Sequence, residues 1–222
     1  MGQFPDTQWS LIRRSGESPS LRRAAFSELA RDYRPAILDY FRAHLAAADA
    51  DDAAQSFLAS SYEHGWWARA DAGTGSFRGF LLVLLRRHLG HLRESTRAGT
   101  DLDAVSGWLP DPGPAADRLF DARFALVLAG RGVDRLRAEY RGRGRAPLFE
   151  ALLGLLGNPP AHGELQAVAA QLGMPPNTLS VELRRLRKRL REAMGDELRG
   201  LCADDAAFDI EWAALTAVLD GH

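Results

Sequence analysis

The chain has 222 residues, 46% of them hydrophobic, so a sizeable core can form; its formal net charge of −1 alone says nothing about nucleic acid. Cys202 is the single cysteine, which excludes an internal disulfide and a cysteine-based metal cluster and suits a reducing cytoplasm. Met1–Ser20 has no apolar run of signal-peptide type, and the longest apolar stretch, Phe80–Leu85, is too short to span a bilayer, so a cytoplasmic protein with no membrane partner is expected.

Ala, Leu and Arg dominate and strand formers are few, which favours helix throughout. The first predicted helix covers residues 21–45, where Phe26, Leu29, Tyr33, Ile37, Tyr40 and Phe41 recur at spacings of three and four. Pro35 is expected to kink or break it. A second helix is predicted from about Asp49 to His64, with Asp49, Asp51 and Asp52 in its first turn and Gly65 as its stop. A loop at 71–75 precedes a third helix, 77–97, apolar in its first half and basic in its second. Residues 98–114 read as a linker, with a short turn at 105–109.

The second half opens near Ala115 with another helix carrying Leu119, Phe120, Phe124, Leu126, Val127 and Leu128. After an Arg/Gly-rich turn at 141–145, a short apolar helix is predicted at 147–156, then a close pair at 164–172 and 177–194. Residues 195–222 form an amphipathic tail whose seven acids against one arginine leave it at −6. The expected organisation is therefore all-α, with helical domains at 1–97 and 115–194, the 98–114 linker between them, and the 195–222 extension.

The close helix pair carries the strongest functional signal. Its sequence is LQAVAAQLGMPPNTLSVELRRLRKRL, Leu165 to Leu190. Val168 and Leu172 can pack against Leu179, Leu183 and Leu186; Gly173 ends the first helix, Pro175-Pro176 bars its continuation, and Asn177 is expected to cap the second. This is the layout of a helix-turn-helix, whose second helix enters the DNA major groove. Six of the nine residues from Leu183 to Arg191 are Arg or Lys, as phosphate contact requires. Thr178, Ser180, Val181 and Arg184 lie where base edges are read.

Two features stand out in the first domain. Acids cluster at the start of the second helix, where they either dock on a basic partner or only cap the helix. The third helix ends with Arg86, Arg87, His88, His91, Arg93 and Arg97; with Trp66, Trp67 and Phe77 nearby, it offers a surface suited to unstacked single-stranded bases, unless the aromatics are core. The tail's charge complements the basic helix at 183–191, so it either masks that helix or packs on its own domain.

Taken together, DADDAAQSF at Asp49–Phe57, FRGFLLVLLRRHL at Phe77–Leu89, the helix-turn-helix and the opening TQWSLI at Thr7–Ile12 resemble the extracytoplasmic-function (ECF) family of bacterial RNA polymerase sigma factors, in a subgroup with C-terminal extensions. The resemblance runs from about Thr7 to Met194 and rests on the order and spacing of the motifs. It implies a sigma region 2-like bundle and a sigma region 4-like helix-turn-helix joined by a flexible linker. Asp49, Asp51, Asp52 and Gln55 match the segment that docks on the β′ clamp helices of RNA polymerase core. Arg86, Arg87, His88, His91 and Arg93 match the part that captures the −10 element of promoter DNA. Asn177, Thr178, Ser180, Val181, Arg184, Arg185 and Lys188 match the −35 reader, and the second domain also meets the β flap.

The chain departs from the family at several positions. Arg87 stands where asparagine is usual, His91 where aspartate is common, and Ala53 and Ala54 replace larger apolar residues. Ser56 falls where many members carry an acid, so phosphorylation of Ser56, Ser60 or Ser61 by a Ser/Thr kinase is a candidate way to complete the acidic face. An anti-sigma regulator is the other candidate controlling partner. No catalytic constellation is evident and no enzymatic activity or cofactor is expected; His88 and His91 lack a third ligand for a metal. Two other readings stay open: a helix-turn-helix regulator acting without polymerase core, and a sigma-like decoy.

Overall fold

The structure is a computed structural model that describes residues 19–67, 70, 75–99, 114–157 and 163–219. The described residues form eight helices and no strand: α1 Pro19–Arg42, α2 Ala47–Glu63, α3 Phe77–Gly99, α4 Pro114–Gly142, α5 Ala146–Gly154, α6 Glu164–Gln171, α7 Pro176–Arg199 and α8 Asp205–Leu219. The all-α expectation holds, and no described helix is long and apolar enough to cross a membrane. The expected turn at 105–109 lies outside the described residues.

The helices follow the apolar spacing closely. In α1, Leu29, Tyr33, Ile37, Tyr40 and Phe41 are buried, and the helix runs unbroken through Pro35. Pro35 is on the exposed side, where water can serve the carbonyl that a proline leaves without a donor, so the expected break does not occur. Helix α2 starts at Ala47, two residues before the expected start, without a side-chain cap at Ala46. Of the three aspartates only Asp49 falls in its first turn. The small Ala50, Ala53 and Ala54 are buried, which lets α1 approach α2 closely; Phe57 completes that face. Gly65 takes the left-handed φ of +59° at the helix end, as expected of a stop, with Trp66 N–H donating back to Ser61 O at 3.0 Å.

Contacts divide the chain into two compact units, and the division differs from the linker-based expectation. One unit reaches Val127 and also takes in Leu198 onward; the other is Leu128–Glu197. The first half of α4 belongs to the first unit because its aromatic residues complete that core. Phe124 stacks on Tyr33 with ring centroids 5.2 Å apart, and Phe120 meets Tyr40 edge-on. Trp67 and Phe77 pack against each other inside this core, with Trp67 only 1% exposed. These two rings are therefore core and cannot stack on unpaired bases.

The tail is the second departure. Ala203 N–H donates to Gly75 O at 2.8 Å and Phe77 N–H to Leu201 O at 3.0 Å, around an isolated Ser76–Cys202 bridge. Ser76 caps α3 by accepting from Gly79 N–H at 3.0 Å, and its hydroxyl donates to Glu211 Oε1 of α8 at 2.5 Å. Asp204 caps α8 through Ala207 N–H at 2.8 Å. Arg78 donates to both Glu211 and Asp121, tying α3, α4 and α8 together within the unit. Burial works against the charged guanidinium of Arg78, but Glu211 and Asp121 outweigh it and hold its pKa above the ordinary value. Burial lifts the Asp121 carboxyl above its ordinary value, with Arg78 offsetting only part of the effect. Burial near the Glu211 carboxylate likewise pushes the Cys202 thiol up to about 11, so it is inert as a nucleophile at neutral pH. The buried acid of the tail, Glu211, thus meets Arg78 of the first unit, to which the tail from Leu198 onward belongs.

Candidate nucleic-acid interface

The second unit is built around Leu136 and Tyr140 of α4, Phe149 and Leu152 of α5, Ala169 of α6, and Leu179, Leu183 and Leu186 of α7. Val168 and Leu172 pack against this cluster from their expected side. The link between α6 and α7 is a tight turn. Gly173 adopts φ +62°, and Met174 N–H returns to Ala169 O at 2.9 Å. Pro176 opens α7, where its missing N–H costs nothing, and Thr178 and Leu179 N–H both donate to Pro175 O at 3.0 and 3.2 Å. Asn177 therefore lies inside the first turn, exposed, and the cap it was expected to supply comes from the Pro175 carbonyl instead.

With the leucines of α7 inward, helical phase decides where the cations go. Asn177, Val181, Arg184, Lys188 and Arg191, at steps of three and four, form one exposed stripe flanked by Thr178 and Arg185, with Ser180 half-buried at its edge. At about 1.5 Å per residue the stripe is roughly 20 Å long, enough to lie along a major groove. Side-chain exposure is 79% for Lys188 and 67% for Arg185 but 29% for Arg189. Arg189 is turned inward onto Glu139 and the Tyr140 ring, and Arg187 donates to Leu155 O at 3.0 Å, closing the end of α5. Buried Glu182 holds Arg185 at 3.1 Å and Arg145 at 3.4 Å, a positioning carboxylate that the sequence reading missed. No ion pair is described for Arg184 or Arg191 among the described residues.

The acidic residues of α2 are split. Asp49, Asp52 and Ser56 share an exposed face with Gln55 beside them, whereas Asp51 turns to Arg34 at 3.4 Å and Arg42 at 3.5 Å. Ser56 Oγ lies 2.9 Å from His88 Nε2. Ser60 is half-buried. Ser61, also expected as a phosphorylation site, is 1% exposed with its hydroxyl unpartnered, so no kinase can reach it in this fold.

The basic half of α3 does not form one surface, contrary to expectation. Arg87 and His91 are exposed together, His91 lying 3.7 Å from Glu94. Arg86 and Arg93 face a cleft on another side, and Arg86 pairs with Asp117 of α4. His88 points inward, with Phe57 and Phe41 rings at 5.5 and 5.9 Å and Trp66 at 6.4 Å. Burial and the nearby His91 hold its pKa below the ordinary histidine value. Among the described residues no cluster of His, Cys, Asp and Glu could hold a metal ion. Comparison with known proteins finds no matching family model, no similar curated protein and no similar solved structure.

Proposed function

We propose that the chain is a cytoplasmic sigma factor of the ECF type, which binds RNA polymerase core and directs it to promoter DNA. The observation that carries the reading is the stripe Asn177–Val181–Arg184–Lys188–Arg191, presented outward on the second helix of a tight helix-turn-helix. Thr178, Val181 and Arg184 are the base-reading candidates; Arg185, Lys188 and Arg191 serve the phosphates. In the first unit, Asp49, Asp52 and Gln55 supply the polymerase-docking face, and Arg87 and His91 meet the −10 element. Phosphorylation of Ser56 adds nearly two negative charges to that acidic face, beside the His88 ring. Transcription by reconstituted core polymerase, with sequencing of the initiated transcripts, tests the whole reading: defined start sites preceded by a shared motif are expected, and core alone is the reference. Ser56→Glu is expected to bind core more tightly than Ser56→Ala, and equal affinities remove the phosphorylation step.

One observation favours a second reading. Asp51 is neutralised within the chain and the α3 cations are divided among faces, which suits a helix-turn-helix regulator that binds duplex DNA without polymerase. Pull-down with core polymerase separates the two, since only the sigma reading requires retention.

A further inference from the structure

Glu182 is an acid only 8% exposed, on the helix whose leucines form part of the core of the second unit. A buried carboxylate persists where cations and hydrogen bonds offset its lost hydration. Here two arginines from different elements do so. Arg185, one turn further along α7, donates to Glu182 Oε1 at 3.1 Å. Arg145, from the turn between α4 and α5, lies 3.4 Å from Glu182 Oε2. The backbone fixes the root of Arg145: Gly144 takes the left-handed φ of +69°, and Arg145 N–H donates back to Tyr140 O at 2.8 Å. Its guanidinium also lies over the Tyr140 ring, 5.9 Å from the centroid. Among the described residues neither guanidinium has another acidic partner, and the side chains of Arg145 and Arg185 remain 46% and 67% exposed.

Two guanidinium groups thus share one carboxylate, which leaves a positive excess and most of the donors of both forks unused. Arg185 sits beside Arg184, on the flank of the outward stripe of α7. A helix with its side chains is about 10–12 Å across and the major groove about 12 Å wide, so a helix seated there brings the phosphates of a strand against its flank. We infer that Arg145 and Arg185 form a seat for one backbone phosphate of the duplex that α7 enters, and that Glu182 is the positioning residue that holds the two together. Forked donors from two elements suit two phosphate oxygens at once. A contact anchored on a buried acid sets the depth and register of α7 without reading sequence. The inference rests on the duplex-reading role of α7 and adds to it Arg145, which lies outside that helix, and a buried acid; it does not require polymerase binding.

The test is the affinity of the full chain for a labelled mixed-sequence DNA duplex, followed by anisotropy across a salt series. Arg145→Gln is expected to weaken binding severalfold and to lower the slope of log affinity against log salt by about 1. Arg137→Gln is the control for loss of charge alone, because that guanidinium is taken up by Glu150 and Asp134 at 2.8 and 2.9 Å; its slope is expected to stay. Glu182→Gln separates positioning from charge by the sign of its effect. Removing an acid that merely sits near DNA tightens binding, whereas removing one that holds the arginines in place weakens it. Weaker binding is expected, with the effect of Arg145→Gln largely lost in the Glu182→Gln background. The folded fraction is read by circular dichroism under the same conditions; should Glu182→Gln fail to fold, Arg145→Gln against Arg137→Gln decides. An unchanged slope in Arg145→Gln, equal losses in Arg145→Gln and Arg137→Gln, tighter binding by Glu182→Gln, or an Arg145→Gln effect undiminished in the Glu182→Gln background overturns the proposal. Arg184→Ala marks the stripe itself: a slope lowered there but not in Arg145→Gln sinks the seat and leaves the reading of α7 standing, while no duplex binding by the unsubstituted chain sinks both.

Discussion

Helices α3 and α7 both carry clusters of basic residues, yet they build different things. In α7 the leucines at 179, 183 and 186 occupy one side, and Asn177, Val181, Arg184, Lys188 and Arg191 fall on the opposite side as a continuous stripe. In α3 the apolar Leu81, Leu82, Leu85 and Leu89 need a broad buried sector, and the basic residues are dealt around what remains. Arg86 and Arg93 then face a cleft, Arg87 and His91 face outward, and His88 closes an aromatic cage. The lesson is that a count of cations does not define a surface; their phase relative to the buried stripe does.

The strongest challenge to the α7 side of this comparison is removal of its buried stripe. Leu183→Ala is expected to lower unfolding stability by about 2–5 kcal/mol, measured by urea denaturation, and to weaken duplex binding in proportion to the unfolded fraction. On the α3 side, Glu211→Ala leaves Arg78 with only Asp121, and a cost of about 3 kcal/mol is expected in the same assay. A small change there means that the tail contributes little to the first unit.

A smaller effect sharpens the contrast within α7 itself. Arg184→Ala and Lys188→Ala are each expected to lower the slope of log affinity against log salt for duplex DNA by about 1, with stability unchanged. Arg189→Ala, although equally cationic, is expected to lower stability and leave that slope alone, because its charge is turned onto Glu139. Equal slopes for all three variants would dissolve the division into outward and inward cations.

The least effect concerns pH. His88 titrates below its ordinary value of 6.5 in the folded chain because burial disfavours its charged form. The unfolded state therefore binds more protons in that window, so stability is full above 6.5 and falls as pH drops toward the folded value. His88→Gln is expected to flatten the loss of urea midpoint between pH 7.5 and the acid side of that window, and an unchanged slope would place the pH dependence elsewhere. Arg87→Ala, on the exposed face, is expected to shift stability by less than about 0.5 kcal/mol.

Local pattern alone located α1 to α7, because the apolar spacing of Leu29–Tyr33–Ile37 or Leu179–Leu183–Leu186 already states which side is buried, whereas α8 was read only as an amphipathic tail. It also located the turn at Gly173, whose left-handed backbone suits a residue without Cβ. Start positions were less legible: Asn177 and the α2 aspartates looked like caps, but backbone carbonyls and alanine hold those positions. The Arg78–Asp121–Glu211 cluster was not read at all. Its signals were a single arginine within FRGFLLVLL and one of the three acids of α8, Glu211, which mark buried charges only once partners are known.

The sequence by itself determined helix content, the phase of each buried stripe and therefore the outward cations of α7, since these depend on neighbours within a few residues. Only the tertiary structure decided that the tail joins the first unit through Arg78 and Ser76, that α4 divides its residues between two cores, and that Arg86 and Arg93 face a cleft. Those outcomes depend on partners 31 to 135 positions apart, as in Arg86–Asp117 and Ser76–Glu211. Periodicity carries no information about such pairings, whereas burial of a charge makes its distant partner obligatory.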